Sequence, residues 1–247
     1  MRAIILAGGR GSRLAPFTTV IPKPLLPVDD MPILEVIIRQ LAWAGFDHIT
    51  LTLGYLSSYF HAFIAQHRSL NRLAKIDFIE EEKATGTAGS LASVPGLRGT
   101  FLVMNGDILT NLDYRALLAH HHASKSALTI GLHHKDVKVD LGVIKADGAG
   151  LVTEYIEKPT LSYGVSMGIY VYSEEVLTHI VPDEYLDFPS LVLRLLATGN
   201  RVVTYPNQAS WLDLGRFEDL QRATEIFNQR RCEFLPDEAK PSLRAAS

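Results

Sequence analysis

The residues of this chain best equipped for chemistry gather near its N-terminus, in residues 3–27, AIILAGGRGSRLAPFTTVIPKPLLP. A short apolar run of strand-like length leads straight into Gly8, Gly9 and Gly11, with Arg10 and Arg13 threaded between and after them. Glycines directly behind a strand let the backbone turn sharply and present its N–H groups to a ligand. Arginine offers a planar fork of donors matched to phosphate oxygens, so two guanidiniums in one loop call for an anion. Lys23, between Pro22 and Pro24, is an ammonium on a stiff backbone, held as a positioned point charge. Two familiar phosphate loops fail here. A P-loop ends in Gly-Lys-Ser/Thr, which is missing. The dinucleotide pattern Gly-x-Gly-x-x-Gly fits Gly9 and Gly11 but meets Leu14 at its third glycine.

Two carboxylates far apart in sequence stand out next. Asp107 follows the apolar run TFLVM in Asn105-Gly106-Asp107, and Asp213 lies in Trp211-Leu212-Asp213-Leu214-Gly215. An aspartate at the carboxyl end of a parallel strand suits a hard divalent cation that bridges to phosphate oxygens. Taken alone, Asp107 reads sooner as a turn residue capping the next element, and Asp213 reads either way because Asp-x-Gly is common in turns. The histidines do not converge on a metal: His120, His121 and His122 point about 100° apart on a helix, and His133 and His134 face opposite sides of a strand. They are expected to be surface or packing residues, and Trp43 and the aromatics of residues 55–63 to be core.

The elements that must position these groups follow from apolar periodicity. Strands are expected at residues 3–7, 48–53, 76–79 and 100–104, with helices at 33–44 and 57–66 and a glycine turn opening a helix at Gly86. That alternation predicts a parallel sheet with right-handed crossovers. The second half is expected to hold a helix at 113–123, strands at 128–133, 165–172 and 201–205, and a hairpin of 142–145 and 151–156 turning at Asp147-Gly148. Helices are expected at 188–198 and 216–229, and loose order from residue 231 onward. We read one domain over residues 1–230, a nucleotide half followed by a substrate half, with a tail at 231–247. A hydrophobic share of 47% is enough for a full core, and a net charge of −3 argues against a general nucleic-acid binder, so any anion site must be local. A lone Cys232 excludes an intrachain disulfide. With no leader-like or membrane-length apolar run, a cytoplasmic protein with no membrane partner is expected.

The spacing of Leu6 to Leu14, Pro16, Thr18 and Pro22-Lys23-Pro24 resembles the N-terminal signature of the sugar-1-phosphate nucleotidyltransferases, Leu-Ala-Gly-Gly-x-Gly-x-Arg-Leu-x-Pro-x-Thr…Pro-Lys-Pro. The resemblance implies an α/β, Rossmann-like three-layer αβα fold of GT-A type with a mixed, mostly parallel sheet. It implies that Leu6, Ala7, Gly8, Gly9, Gly11, Arg13, Asn105 and Gly106 surround a nucleoside triphosphate, with Arg13 and Lys23 catalytic and Asp107 and Asp213 holding Mg²⁺. Gly86, Thr87 and Ala88 match the segment that lies against base and ribose, where small residues let a flat base approach backbone N–H and C=O groups. Glu81 or Glu82 would then hydrogen-bond the base. Gly142, Glu157, Lys158, Ser166 and Gly168 match the sugar 1-phosphate contacts, although Leu141 replaces a usual tyrosine and Ser166 a usual asparagine. A carboxylate offers lone pairs to a vicinal diol, and an ammonium beside it complements a phosphate. Gly86 to Leu91 looks most like the mannose- and heptose-1-phosphate guanylyltransferases, which implies GTP. The alternatives are a UTP-, dTTP- or CTP-dependent relative, a cytidylyltransferase for a phosphorylated alcohol, or a catalytically silent subunit. Missing hexapeptide repeats are expected to remove the acetyltransferase activity and trimerisation of some relatives. A homodimer through the second half is expected.

Overall fold

A computed structural model describes residues 1–81 and 83–238. Strand β1 (Arg2–Leu6) leads through 3-10 turns at Ser12–Leu14, Phe17–Thr19 and Lys23–Leu25 to the small pair β2 (Pro27–Val28) and β3 (Met31–Pro32). There follow α1 (Ile33–Trp43), β4 (His48–Leu53), α2 (Ser57–Gln66), α3 (Leu70–Leu73), β5 (Lys75–Glu80), α4 (Gly86–Gly89), β6 (Thr100–Asn105) and β7 (Ile108–Thr110). The second half comprises α5 (Tyr114–Ser124), β8 (Leu128–Lys138), β9 (Val143–Ala146), β10 (Val152–Ile156) and β11 (Thr160–Ser173). It closes with α6 (Phe188–Ala197), β12 (Val202–Pro206), β13 (Trp211–Asp213), α7 (Phe217–Gln229) and α8 (Arg231–Phe234).

Seven strands form the central sheet in the order β12-β8-β11-β6-β1-β4-β5. Neighbours are parallel except β11, which runs antiparallel to β6 and β8, so the sheet is mixed and mostly parallel as expected. Burial on both faces explains why β1 and β6 read as nearly unbroken apolar runs, and in β4 it extends to Thr50 and Thr52, which are buried between Ile49, Leu51 and Leu53. Ala3 and Ile5 join one core with α1, α2, α5 and α7, while Ile4 points into a second core under α6. These are the two helical layers of a three-layer fold. The chain proceeds from β1 to β4 and β5 on one side, then crosses to β6 on the other. At such a switch point the loops after the strands part and leave a crevice at their carboxyl ends. Register sets Leu6 beside both Thr52 and Asn105 there.

Four differences from the sequence reading have physical causes. Strands β8 and β11 run past their apolar stretches, pairing Lys138 with Thr160 and Lys135 with Tyr163 as an arm beyond the sheet. Periodicity cannot see such an arm because its side chains are mostly exposed. The helix opened by Gly86 lasts one turn and becomes a 3-10 turn at Ser90–Ser93, since two glycines in four residues are poor helix formers. Trp43, expected in the core, is 51% exposed at the end of α1. Order does not fade at residue 231. Phe234 and Leu235 are fully buried, the Phe234 ring lies 5.8 Å from that of Phe227, and Arg231 donates to Asp30 and Glu238 at 2.7 Å each. The rest of the predicted tail, residues 239–247, lies outside the described residues, as does Glu82.

Candidate active site

The glycine loop leaves β1 with Ala7 N–H still bonded to Thr52 C=O at 2.9 Å. Gly8 then passes so close to the chain after β4 that a Cβ on Gly54 would lie 3.0 Å from the Gly8 carbonyl. A Cβ on Gly8 would lie 3.2 Å from the Glu81 carboxylate, which places Glu81 directly over the loop. Glu81 is held there by the Thr85 hydroxyl, donating at 2.5 Å. Gly11 sits at φ +60°, where a side chain would meet Thr18 at 3.1 Å and Lys23 at 3.2 Å. Thr18 is buried and donates its hydroxyl to the Gly11 carbonyl at 2.8 Å. The threonine of the signature therefore fastens the loop, and Gly9 remains open to solvent space on its inner side.

The register of one small sheet unites the distant carboxylates. β13 pairs antiparallel with β7, setting Asp213 opposite Ile108, and Leu214 N–H donates to Asp107 C=O at 3.2 Å. Between them stands Lys23, only 7% exposed, paired with Asp107 Oδ2 and 3.8 Å from Asp213 Oδ1. Arg13 packs its guanidinium on Gly215, where a Cβ would come within 3.3 Å of Nη1. Both basic groups of the N-terminal signature thus meet the Trp211–Gly215 segment.

These elements enclose a cleft of about 460 Å³. Leu6, Ala7, Gly8, Gly9, Gly11, Arg13, Lys23, Glu81, Gly86, Thr87, Asn105 and Asp107 line it, as the sequence reading expects. Two residues of that reading do not. Ala88 is fully buried in the second core, and Gly106 packs against Pro24 and Ile5 while donating its N–H to Leu6 C=O at 2.9 Å. The expected use of the Gly86 segment's amides also needs correction. Ala88 and Gly89 spend theirs on Leu186 C=O at 3.0 and 2.9 Å, and the Thr87 hydroxyl accepts from Phe188 N–H at 2.9 Å. A Cβ on Gly86 would collide with that same carbonyl at 2.5 Å, so the glycine secures a backbone crossing. Asp213 stands at the rim, reached through Lys23.

The sugar-phosphate candidates divide into two groups, and neither lines the cleft. Gly142, Glu157 and Lys158 share an exposed lobe built on the β9–β10 hairpin. There the Tyr155 hydroxyl fills the space a Gly142 side chain would need and donates to Glu157 at 3.1 Å. The Lys158 ammonium is 3.9 Å from Glu157. Ser166 donates to the Tyr170 hydroxyl at 3.1 Å, which burial holds above its ordinary pKa. Gly168, at φ +70°, presses on Asn105, since a Cβ there would lie 2.7 Å from Nδ2. That contact joins the second group to the cleft wall.

Sequence reasoning missed Thr52, Ser90, Tyr185 and Gly215, which also line the cleft. Thr52 was legible in principle as the polar residue near the end of a buried strand. Tyr185 carries no local signal. It reaches the cleft because its loop is bonded to the Gly86 segment. Among the described residues no group of three or more His, Cys, Asp or Glu side chains could hold a metal, so a divalent ion here would rest on Asp107, Asp213 and ligand oxygens. His121 belongs to packing: its buried ring bonds Thr129 at 2.9 Å and Ser173 at 3.0 Å. No helix among the described residues is long and apolar enough to cross a membrane.

A glycine loop at a switch point, two strand-end aspartates and a clamped lysine define the cleft of an α/β protein. The nucleotidyl transferase family model matches residues 2–230, and the chain belongs to that family. The mannose-1-phosphate guanylyltransferase of Mycobacterium tuberculosis is 32% identical over 234 residues, covering 90% of this chain and 63% of that protein. The UTP–glucose-1-phosphate uridylyltransferase of Synechocystis sp. is 28% identical, covering 90% and 62%. The chain therefore spans about three fifths of the length of these relatives. The crystal structure of HddC from Yersinia pseudotuberculosis complexed with GMP-PN is 26% identical with a TM-score of 0.69, covering 92% of this chain and 99% of that one.

Proposed function

We propose that the chain joins a nucleoside triphosphate to a sugar 1-phosphate, releasing pyrophosphate, with GTP and a mannose- or heptose-type sugar as substrates. The observation that carries this reading is Lys23 held between Asp107 and Asp213 at the end of a glycine-lined cleft. The guanylyltransferase among the relatives and the nucleotide analogue bound to HddC support the choice of GTP. In the reaction an oxygen of the sugar phosphate forms a bond to the α-phosphorus. The bond from that phosphorus to the β-phosphate bridging oxygen breaks, and pyrophosphate carries the electron pair away. Little covalent work falls to the protein, so its part is positioning and charge. Free loop amides and Arg13 bind the triphosphate, while Lys23 draws the α-phosphate and the attacking phosphate together. Glu157 accepts hydrogen bonds from sugar hydroxyls, and Lys158 meets the sugar phosphate.

The family generally uses a divalent metal, and the residues present fit Mg²⁺. The donors are the hard oxygens of two carboxylates, leaving room for phosphate and water oxygens as this ion prefers. Asp107 and Asp213 would hold it, and when bound it withdraws charge from the phosphoryl oxygens.

A pyrophosphate-release assay with Mg²⁺, the four nucleoside triphosphates and a panel of sugar 1-phosphates tests the proposal. Turnover with GTP is expected, falling about 10² to 10³-fold in Arg13→Ala, the scale seen when one preorganised charge-matched donor is lost. Release of no pyrophosphate from any pair, or an Arg13→Ala variant at near-normal turnover, overturns it.

A further inference from the structure

Lys23 has a second partner set that the reaction does not require. Its stem is packed against Gly11 and its ammonium is buried. Its ammonium pairs with Asp107 Oδ2 and lies 3.8 Å from Asp213 Oδ1. An ammonium between two carboxylates takes both the place and the charge a divalent ion would need there, and two cations so close repel. Resting on the reading above, we propose that Lys23 is the resident cation of the Asp107–Asp213 pair and must leave it before metal can bind. The destination is the anion in the glycine loop, where phosphate oxygens give the ammonium a new partner. Nucleotide thus empties the metal position, and metal drives Lys23 toward phosphate. Coupling of this kind is reciprocal by thermodynamic necessity, so each ligand raises the affinity for the other. It also keeps free metal out of the nucleotide-free protein.

Titration of the full chain with Mn²⁺ alone, followed by the electron paramagnetic resonance signal of the free ion, reads this without catalysis. Lys23→Met and Lys23→Gln, each checked for folding by its melting temperature, are expected to bind Mn²⁺ at least tenfold more tightly than the unaltered protein. Adding Asp107→Asn to either is expected to abolish the gain. Arg13→Met removes an equal charge from beside Gly215 and is expected to change Mn²⁺ affinity less than threefold. Equal affinity in the Lys23 variants and the parent, or an equal gain in Arg13→Met, overturns the displacement while leaving the nucleotidyltransferase reading intact. Failure of every variant to bind Mn²⁺ overturns it as well. The functional reading stands or falls separately, on the pyrophosphate-release assay.

Discussion

His121 shows how a single buried side chain imposes a pH limit. Its ring is surrounded by the hydroxyls of Ser126, Thr129 and Ser173, and burial, with His122 and His120 nearby, lowers its pKa to about 4. The unfolded chain would protonate it near 6.5. Between those values the unfolded state binds a proton that the native state refuses, so this contribution is complete above about pH 6.5 and is lost as pH falls toward 4. The expected loss is about 3 kcal/mol, read as a falling urea midpoint from pH 7 to pH 4. His121→Gln, though less stable at pH 7, is expected to give a flatter profile, and an unchanged slope would refute the assignment. Residue identity in the sequence revealed the glycine loop because position and chemistry coincide there: Gly11 must adopt a left-handed backbone, and Arg13 must carry charge. It was silent on Tyr185, because an exposed tyrosine in a loop has no period and no partner nearby in sequence. Ala88 and Gly106 misled because they sit within the recognised segments yet face the core.

Elements decide which of these residues meet. The three-residue strands β7 and β13 are too short to announce themselves, yet their pairing brings Asp213 to Asp107. Apolar runs made β1 and β6 legible, as β-branched alternation did β4, and the cleft is at their ends. The β9–β10 hairpin was also legible, from Asp147-Gly148 between two short runs. Its separation from the cleft predicts a division of labour. Glu157→Gln and Lys158→Met are expected to raise the KM for sugar 1-phosphate tenfold or more with the KM for nucleotide unchanged. Steady-state kinetics with each substrate varied in turn checks this, and a matching rise in both constants would count against it.

At the scale of the molecule, each core draws on both halves of the chain. Phe227, Phe234 and Leu235 share one core with Ile5 and Leu34. Gln40 of α1 donates to the carbonyls of Thr110 and Phe234 at 2.7 Å each, stitching the C-terminal turn to the N-terminal half. Phe234→Ala is expected to cost about 3–5 kcal/mol, the usual range for emptying a buried aromatic site, measured by denaturant midpoint. A loss under about 1 kcal/mol would mean that the segment after α7 is dispensable. The sequence hid this role because two buried residues among charged ones make no periodic pattern.

Strand β11 carries one more implication. It begins in the outlying arm at Thr160, crosses the central sheet and shifts register between Ser166 and Tyr170, where Gly168 abuts Asn105. A tilt of the β9–β10 lobe would therefore be delivered by a stiff lever to a fulcrum resting on the cleft wall. On the function proposed above, arrival of a sugar phosphate at that lobe would in this way be felt mechanically in the cleft.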